Sequence, residues 1–191
     1  MQRLFPNGVQ LAHRYLAEVV CAGDKVIDAT AGNGHDTCFL ARLVGPAGKV
    51  YAFDIQAGAL QRTAGRLAEA EVIDRVKLIC ASHEQMEDFV SEPVSAVMFN
   101  LGYLPGSDHK IITQPASTLR ALAAATRLLQ VGGLITVVVY PGHPGGLDES
   151  RAVDDWVAGL AQAQWDVVKF SFPNRVHHSP YLIVVQRRGD G

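Results

Sequence analysis

"WDVVKFSFPNRVHHSPYLIVVQR" (165–187) holds two apolar, strand-like runs, 165–172 and 180–187, joined only by "PNRVHHS". So short a link leaves no room for a helical crossover, and the two strands must pair antiparallel as a hairpin. Upstream the pattern is the opposite. "KVIDATA" (25–31), "GKVYAFDI" (48–55), "VKLICAS" (76–82), "SAVMFNL" (95–101) and "LITVVVYP" (134–141) read as strands. Helical spacing fills the gaps at 34–44, 59–70, 86–90 and 116–130, and again at 148–162 before the final pair. Gly132-Gly133 are expected to stop the fourth of these helices as a C-cap. Strands alternating with helices imply right-handed crossovers and a parallel sheet covered on both faces.

Five parallel strands followed by a hairpin is the layout of a Rossmann-like class I methyltransferase. The expected fold is therefore α/β: a seven-stranded, mostly parallel sheet with an antiparallel C-terminal hairpin and helices on both faces. With 191 residues, 48% of them hydrophobic and 19% charged, the chain reads as one globular domain, 1–191. No apolar run reaches the roughly 18–20 residues a membrane span needs. The N-terminal "MQRLFPNGVQLAHRY" lacks a signal-peptide core. Three scattered cysteines, Cys21, Cys38 and Cys80, without CxxC spacing point to reduced thiols and a cytoplasmic protein. The net charge of −2 excludes a global basic field, so any nucleic acid must be met by a local patch. Twelve of the seventeen basic residues are Arg, the better fork for phosphate.

In an open α/β sheet, ligands bind beyond the carboxyl ends of the strands at the switch point. "DATAGNGHDT" (28–37) marks that place. Gly32 and Gly34 let the backbone turn tightly, and amides at the following helix start face a ligand. The candidates here are Asp28, Ala29, Gly32, Asn33, Gly34, His35, Asp36 and Thr37. Twenty residues after Gly34 the second strand ends on Asp54, whose carboxylate suits both ribose hydroxyls, with Ile55 and Gln56 beside it. A dinucleotide-binding protein would use a similar layout. Thr37 stands where the third glycine of GxGxxG would be, Asp28 can meet a cationic amino end, and Ser82 and His83 fall where an adenine edge would lie. These details favour S-adenosylmethionine over NAD.

The fourth strand should end beside the first, putting Asn100 opposite the cofactor's methyl group. "NLGY" (100–103) keeps the amide and the aromatic of the [DNS]-P-P-[YFW] motif of amino-directed methyltransferases, with Leu101 and Gly102 for the two prolines. An amine attacks a sulfonium in line, so its lone pair must be aimed. An amide oxygen can do the aiming, while Tyr103 stacks on an extruded base. No thiol stands here for cysteine-assisted ring methylation. Leu104, Pro105 and His109 continue the loop, and "YPGHPGGLDE" (140–149) mirrors it with Tyr140 and His143 on the same rim. His177-His178 lack a completing carboxylate or cysteine, so no metal is expected.

"LAHRYLAEVVCAGDKVIDATAGNGHDTCFLARLVG", "VYAFDIQ", "NLGYLPGSDH", "TLRAL" and "VVVYPGHPGGLDE" together resemble a family of small bacterial proteins long labelled rRNA methylases. The resemblance spans about residues 7–186. Members are understood as tRNA wobble-uridine methyltransferases that methylate the amine of 5-aminomethyl-2-thiouridine. It implies a tRNA anticodon stem-loop as partner, with Asn174 and Arg175 among the substrate contacts, and a homodimer. His13, near the start of the first helix, also matches and is expected to line the cofactor pocket. Ser179 departs from the family's Pro-Pro before the last strand. Methylation of another amine, in rRNA or a small metabolite, and a non-catalytic RNA-binding module stay open beside this reading.

Overall fold

The computed structural model describes residues 4–102, 113–176 and 178–189. In chain order the elements are α1 (Gly8–Val19), β1 (Lys25–Asp28), α2 (His35–Val44), β2 (Lys49–Asp54), α3 (Ala57–Glu69), β3 (Val76–Cys80) and α4 (Met86–Phe89). They continue with β4 (Val94–Asn100), α5 (Pro115–Leu128), β5 (Leu129–Val139), α6 (Gly146–Ala158), β6 (Trp165–Phe170) and β7 (Tyr181–Arg187).

The seven strands lie in the order β3-β2-β1-β4-β5-β7-β6. β1 pairs in parallel with both β2 and β4, which places the switch point between the ends of β1 and β4. β7 inserts antiparallel between β5 and β6. The hairpin expected from the short 173–179 link is thus present, and its second strand is the one that joins the parallel sheet.

The central strands are buried on both faces, and successive side chains point to opposite sides of the sheet, as the two-residue period of a pleated strand demands. Val26, Ala96 and Met98 point to the face covered by α1, α2 and α3, where Leu16, Leu40 and Leu67 have no exposed surface. Ile27, Val97 and Phe99 point to the face covered by α4, α5 and α6. Phe53 and Phe99 are fully buried there, and losing either ring should cost about 3–5 kcal/mol. α1 starts on a capping box in which the Asn7 side chain accepts from the Gln10 amide at 2.8 Å and Gln10 Oε1 accepts from the Asn7 amide at 3.1 Å. Such a cap is worth about 1 kcal/mol.

One expectation is corrected. Gly132-Gly133 do not cap α5, which ends at Leu128 with the extended Leu129 following. They sit inside β5, where its register against β4 shifts between Val94 and Ala96. Gly132 has φ +79, and a Cβ on Gly133 would stand 2.8 Å from the Ser95 carbonyl oxygen. A bulge pressed against β4 requires glycine at both places.

Candidate active site

The β1–α2 loop is built by strand ends reaching into it. The Ala29 amide donates to the Met98 carbonyl at 2.9 Å, and the Ala31 amide to the Phe53 carbonyl at 2.8 Å, so the loop is stitched to β4 and β2. Gly32 and Gly34 both have positive φ, +54 and +79. A Cβ at Gly34 would lie 2.9 Å from the Thr63 Cα, a backbone atom of α3 that cannot step aside. Thr63 Oγ1 donates to the Gly32 carbonyl at 3.0 Å, Arg62 Nε to the Asn33 side-chain oxygen at 3.0 Å and Arg66 Nε to the Asn33 carbonyl at 2.8 Å. α3 therefore supplies a floor for the glycine turn.

Asp54 closes β2. Its Oδ2 accepts from the Gly32 amide at 2.9 Å and its Oδ1 from the Gln56 amide at 2.8 Å. The exposed Ile55 follows directly. His83 lies under the loop, almost wholly buried, with Nδ1 3.2 Å from the Ala29 carbonyl. Burial lowers its pKa, so the ring is neutral at pH 7. Ser82 accepts weakly from the Glu84 amide at 3.5 Å, as the cap of a short turn over His83–Gln85.

Asp28 ends β1 beneath the loop. It has no exposed surface; Oδ2 accepts from Thr37 Oγ1 at 2.6 Å and Oδ1 from the Thr30 amide at 3.1 Å. Both of its oxygens are thus engaged within the β1–α2 segment. Burial, and after it the charge of Asp36, push its pKa up to about 7.

At the tip of β4 the Asn100 amide donates to Thr30 Oγ1 at 2.8 Å, and its side-chain Nδ2 donates to Asp36 Oδ2 at 3.1 Å. Asp36 Oδ1 in turn lies 2.7 Å from His13 Nε2. His13 sits midway along α1, its ring stacked flat on Phe39 with centroids 3.7 Å apart and planes 6° from parallel. α1, α2 and β4 thus meet at Asp36. The Tyr140 hydroxyl shares that neighbourhood, its pKa raised by burial and then by the Asp36 charge.

The rim continues outward from Asn100. The Leu101 amide donates to the Val138 carbonyl, and Gly102, at φ +121, faces His143 and Tyr140: a Cβ there would stand 3.5 Å from His143 Nε2. Gly102 and Thr113 close a neck, with the Gly102 amide donating to Thr113 Oγ1 at 2.9 Å and the Thr113 amide to the Gly102 carbonyl at 3.0 Å. Buried Glu149 braces it, accepting from Thr113 and Thr118 hydroxyls, each at 2.7 Å. Thr118 opens the "TLRAL" stretch and Glu149 closes "YPGHPGGLDE", but neither they nor Thr113 show a role by sequence alone, because it lies in their contact with one another. Tyr103, Leu104, Pro105, His109 and His177 lie outside the described residues. Asn174 and Arg175 stand on the link before β7, where the Arg175 guanidinium stacks 3.6 Å above the Phe172 ring. A cavity of about 170 Å³ under α1, lined by Tyr15, Leu134 and Phe170, contains none of these site residues.

The dinucleotide-binding alternative fails at the sheet's edge. The antiparallel β7 wedged between β5 and β6 makes this the sheet of a class I S-adenosylmethionine-dependent methyltransferase. The donor set fits that cofactor, which carries a sulfonium and an ammonium against one carboxylate: three carboxylates, Asp28, Asp36 and Asp54, surround the loop. Residues 50–186 match the family described as "Putative rRNA methylase", and the chain belongs to that family. It is 42% identical, over 95% of its length and 70% of the relative's, to "tRNA (mnm(5)s(2)U34)-methyltransferase, chloroplastic" from Arabidopsis thaliana. A "putative rRNA-methylase" from Clostridium thermocellum superposes with TM-score 0.95 at 43% identity, covering 97% of this chain and 100% of that one. A "putative methyltransferase" from Streptococcus mutans in complex with SAH gives TM-score 0.88 at 36% identity, covering 96% and 99%. Among the described residues no helix is long and apolar enough to cross a membrane.

Proposed function

We propose that the protein is a single-domain N-methyltransferase, 1–191, that methylates the 5-aminomethyl group of 2-thiouridine at wobble position 34 of tRNA. The observation that carries this is the 42% identity to the Arabidopsis enzyme, joined to an asparagine at the tip of β4 beside the glycine loop. S-adenosylmethionine, when bound, supplies an electrophilic methyl group. The chain does the rest. Asp54 and the loop amides hold the ribose and the amino acid end, with Ile55, Ser82 and His83 around the base. Asp36 and the buried Asp28 supply a negative field matched to a cation. Asn100 Oδ1 accepts an N–H of the acceptor amine and turns its lone pair toward the methyl carbon. The amine arrives neutral, so little acid–base chemistry is asked of the site.

The same reading gives Tyr103 the stacking partner's role, and gives Leu104, Pro105, His109, Tyr140, His143, Asn174 and Arg175 the contacts to an anticodon stem-loop. Arg175 on Phe172 is the kind of cation–aromatic platform on which unpaired bases stack. A homodimer in the cytoplasm completes the proposal; the edge strand β6, with Val168 about half exposed at 49%, is a surface available for pairing.

The test is methyl transfer from labelled S-adenosylmethionine to two tRNA pools, one carrying 5-aminomethyl-2-thiouridine at the wobble position and one lacking it. Label confined to the first pool, recovered as the methylaminomethyl nucleoside, is the expected result. Label in neither pool, with the cofactor still bound, would move the acceptor to rRNA or a small amine.

A further inference from the structure

We infer that Asp36 is a positioning residue for the reaction: held by His13, it locks the side-chain amide of Asn100 with nitrogen inward and oxygen toward the acceptor. The inference rests on the reading of Asn100 given above, and it moves Asp36 and His13 from lining the cofactor to orienting the group that aims the amine.

An asparagine amide has a donor end and an acceptor end of nearly the same shape. If the end facing the acceptor were the nitrogen, it would repel an amine's N–H and leave the lone pair unaimed. The neighbour decides which end faces out. A carboxylate only accepts, so the 3.1 Å contact between Asn100 and Asp36 Oδ2 must be made by the Asn100 nitrogen. The oxygen is then the end turned away from Asp36. The Asn100 main chain is fixed separately, through its amide to Thr30 Oγ1 at 2.8 Å, so only the side-chain torsions remain to be set.

Asp36 is itself fixed from the other side. His13 Nε2 stands 2.7 Å from Oδ1, and the same reasoning assigns the proton to Nε2. The imidazole cannot swing, because its face lies on the Phe39 ring at 3.7 Å and 6°. Phe39 and Asp36 belong to one helix turn of α2, so α2 presents both the carboxylate and the platform for its clamp. Asp36 is 8% exposed, which keeps water from competing for either oxygen.

A charge swap tests the idea. Asp36→Asn keeps the shape but allows the two amides to pair either way round, and kcat should fall about 10- to 100-fold. KM for tRNA should stay within about threefold, and because Asp36→Asn also removes a charge facing the cofactor's cation, kcat is read at saturating S-adenosylmethionine. Adding Asn100→Asp puts an obligate acceptor at position 100 with an amide behind it, and should recover most of kcat. His13→Ala should lower kcat, and His13→Gln, which keeps an N–H donor, should restore part of it. A wild-type kcat in Asp36→Asn, or a double variant no better than the singles, would overturn the inference.

A second readout needs no RNA. Exchange of the Asn100 side-chain amide protons with water, followed by 15N NMR, should be at least about tenfold faster in Asp36→Ala than in the wild type. Unchanged exchange would overturn the inference by itself. Failure of the wild-type protein to methylate tRNA would instead count against the substrate, and the NMR result would still decide the fate of Asp36.

Discussion

Asp54 Oδ2 accepts a hydrogen bond from the Gly32 amide at 2.9 Å, tying the end of β2 to the glycine turn that follows β1. The carboxylate expected to hold the cofactor's ribose therefore also holds the loop expected to hold its amino acid end. Asp54→Ala should weaken S-adenosylmethionine binding about 10- to 100-fold, the equivalent of losing charge-assisted bonds worth about 1.5–3 kcal/mol. Titration calorimetry would read this, and an unchanged Kd would remove Asp54 from the cofactor site.

Gly34→Ala should damage folding before it damages binding. Position 34 has φ +79, and the added Cβ would meet the Thr63 backbone at 2.9 Å. The left-handed conformation alone costs about 1–2 kcal/mol, which in a domain of this size lowers Tm by roughly 2–8 °C, and the clash adds to it. A melting temperature equal to the wild type's would show that α3 can move away.

The neck at Gly102 and Thr113 predicts a split in kinetic constants. Glu149→Ala leaves the Thr113 and Thr118 hydroxyls without their acceptor and should cost about 1–3 kcal/mol of stability. It should raise KM for tRNA several-fold while leaving Kd for S-adenosylmethionine as it was. Equal loss of both affinities would mean that the whole rim had collapsed.

Asp28 predicts a pH dependence with a definite sign. Its pKa rises from 3.8 to about 7 on folding, through burial and the charge of Asp36. Between about pH 4 and 7 the folded protein holds the extra proton, so this group's contribution to stability falls as pH rises through that window. Asp28→Asn should therefore gain Tm over the wild type at pH 8 and lose that advantage at pH 5. Binding a cation over the loop should also expel this proton, seen near pH 7 as a buffer-dependent binding enthalpy. Parallel Tm curves for the two proteins would sink the assignment.

The fold was legible because its signals are local. The apolar run in 94–100 shows a buried strand, and the short link 173–179 forbids a crossover, whatever the rest of the chain does. Gly132-Gly133 were misread for the converse reason: a bulge exists only relative to the strand beside it, and Ser95 cannot be seen from β5. The site divides in the same way. Asp54 and Asn100 stand at strand ends, where period and punctuation reveal them. Asp28 reads as a cofactor contact from its place at a strand end, while its bonds from the Thr30 amide and the Thr37 hydroxyl come into view only in the fold. Asp36 reads as one more loop residue until His13, twenty-three positions earlier, is found against it. Glu149 has meaning only with Thr113 and Thr118 in view.

α1 precedes every strand in the chain, yet the surface it rests on is made late. Gly8 packs so closely on Val138 of β5 and Tyr181 of β7 that an added Cβ would lie 3.2 and 3.7 Å from their atoms. During synthesis, which runs from the N-terminus, the part of this seat made by Tyr181 is supplied only once β7 has left the ribosome. Loop closure over so long a stretch is a late event in folding. A chain cut short before β7 would leave the N-terminal end of α1, the helix that carries His13, without the Tyr181 side of its seat.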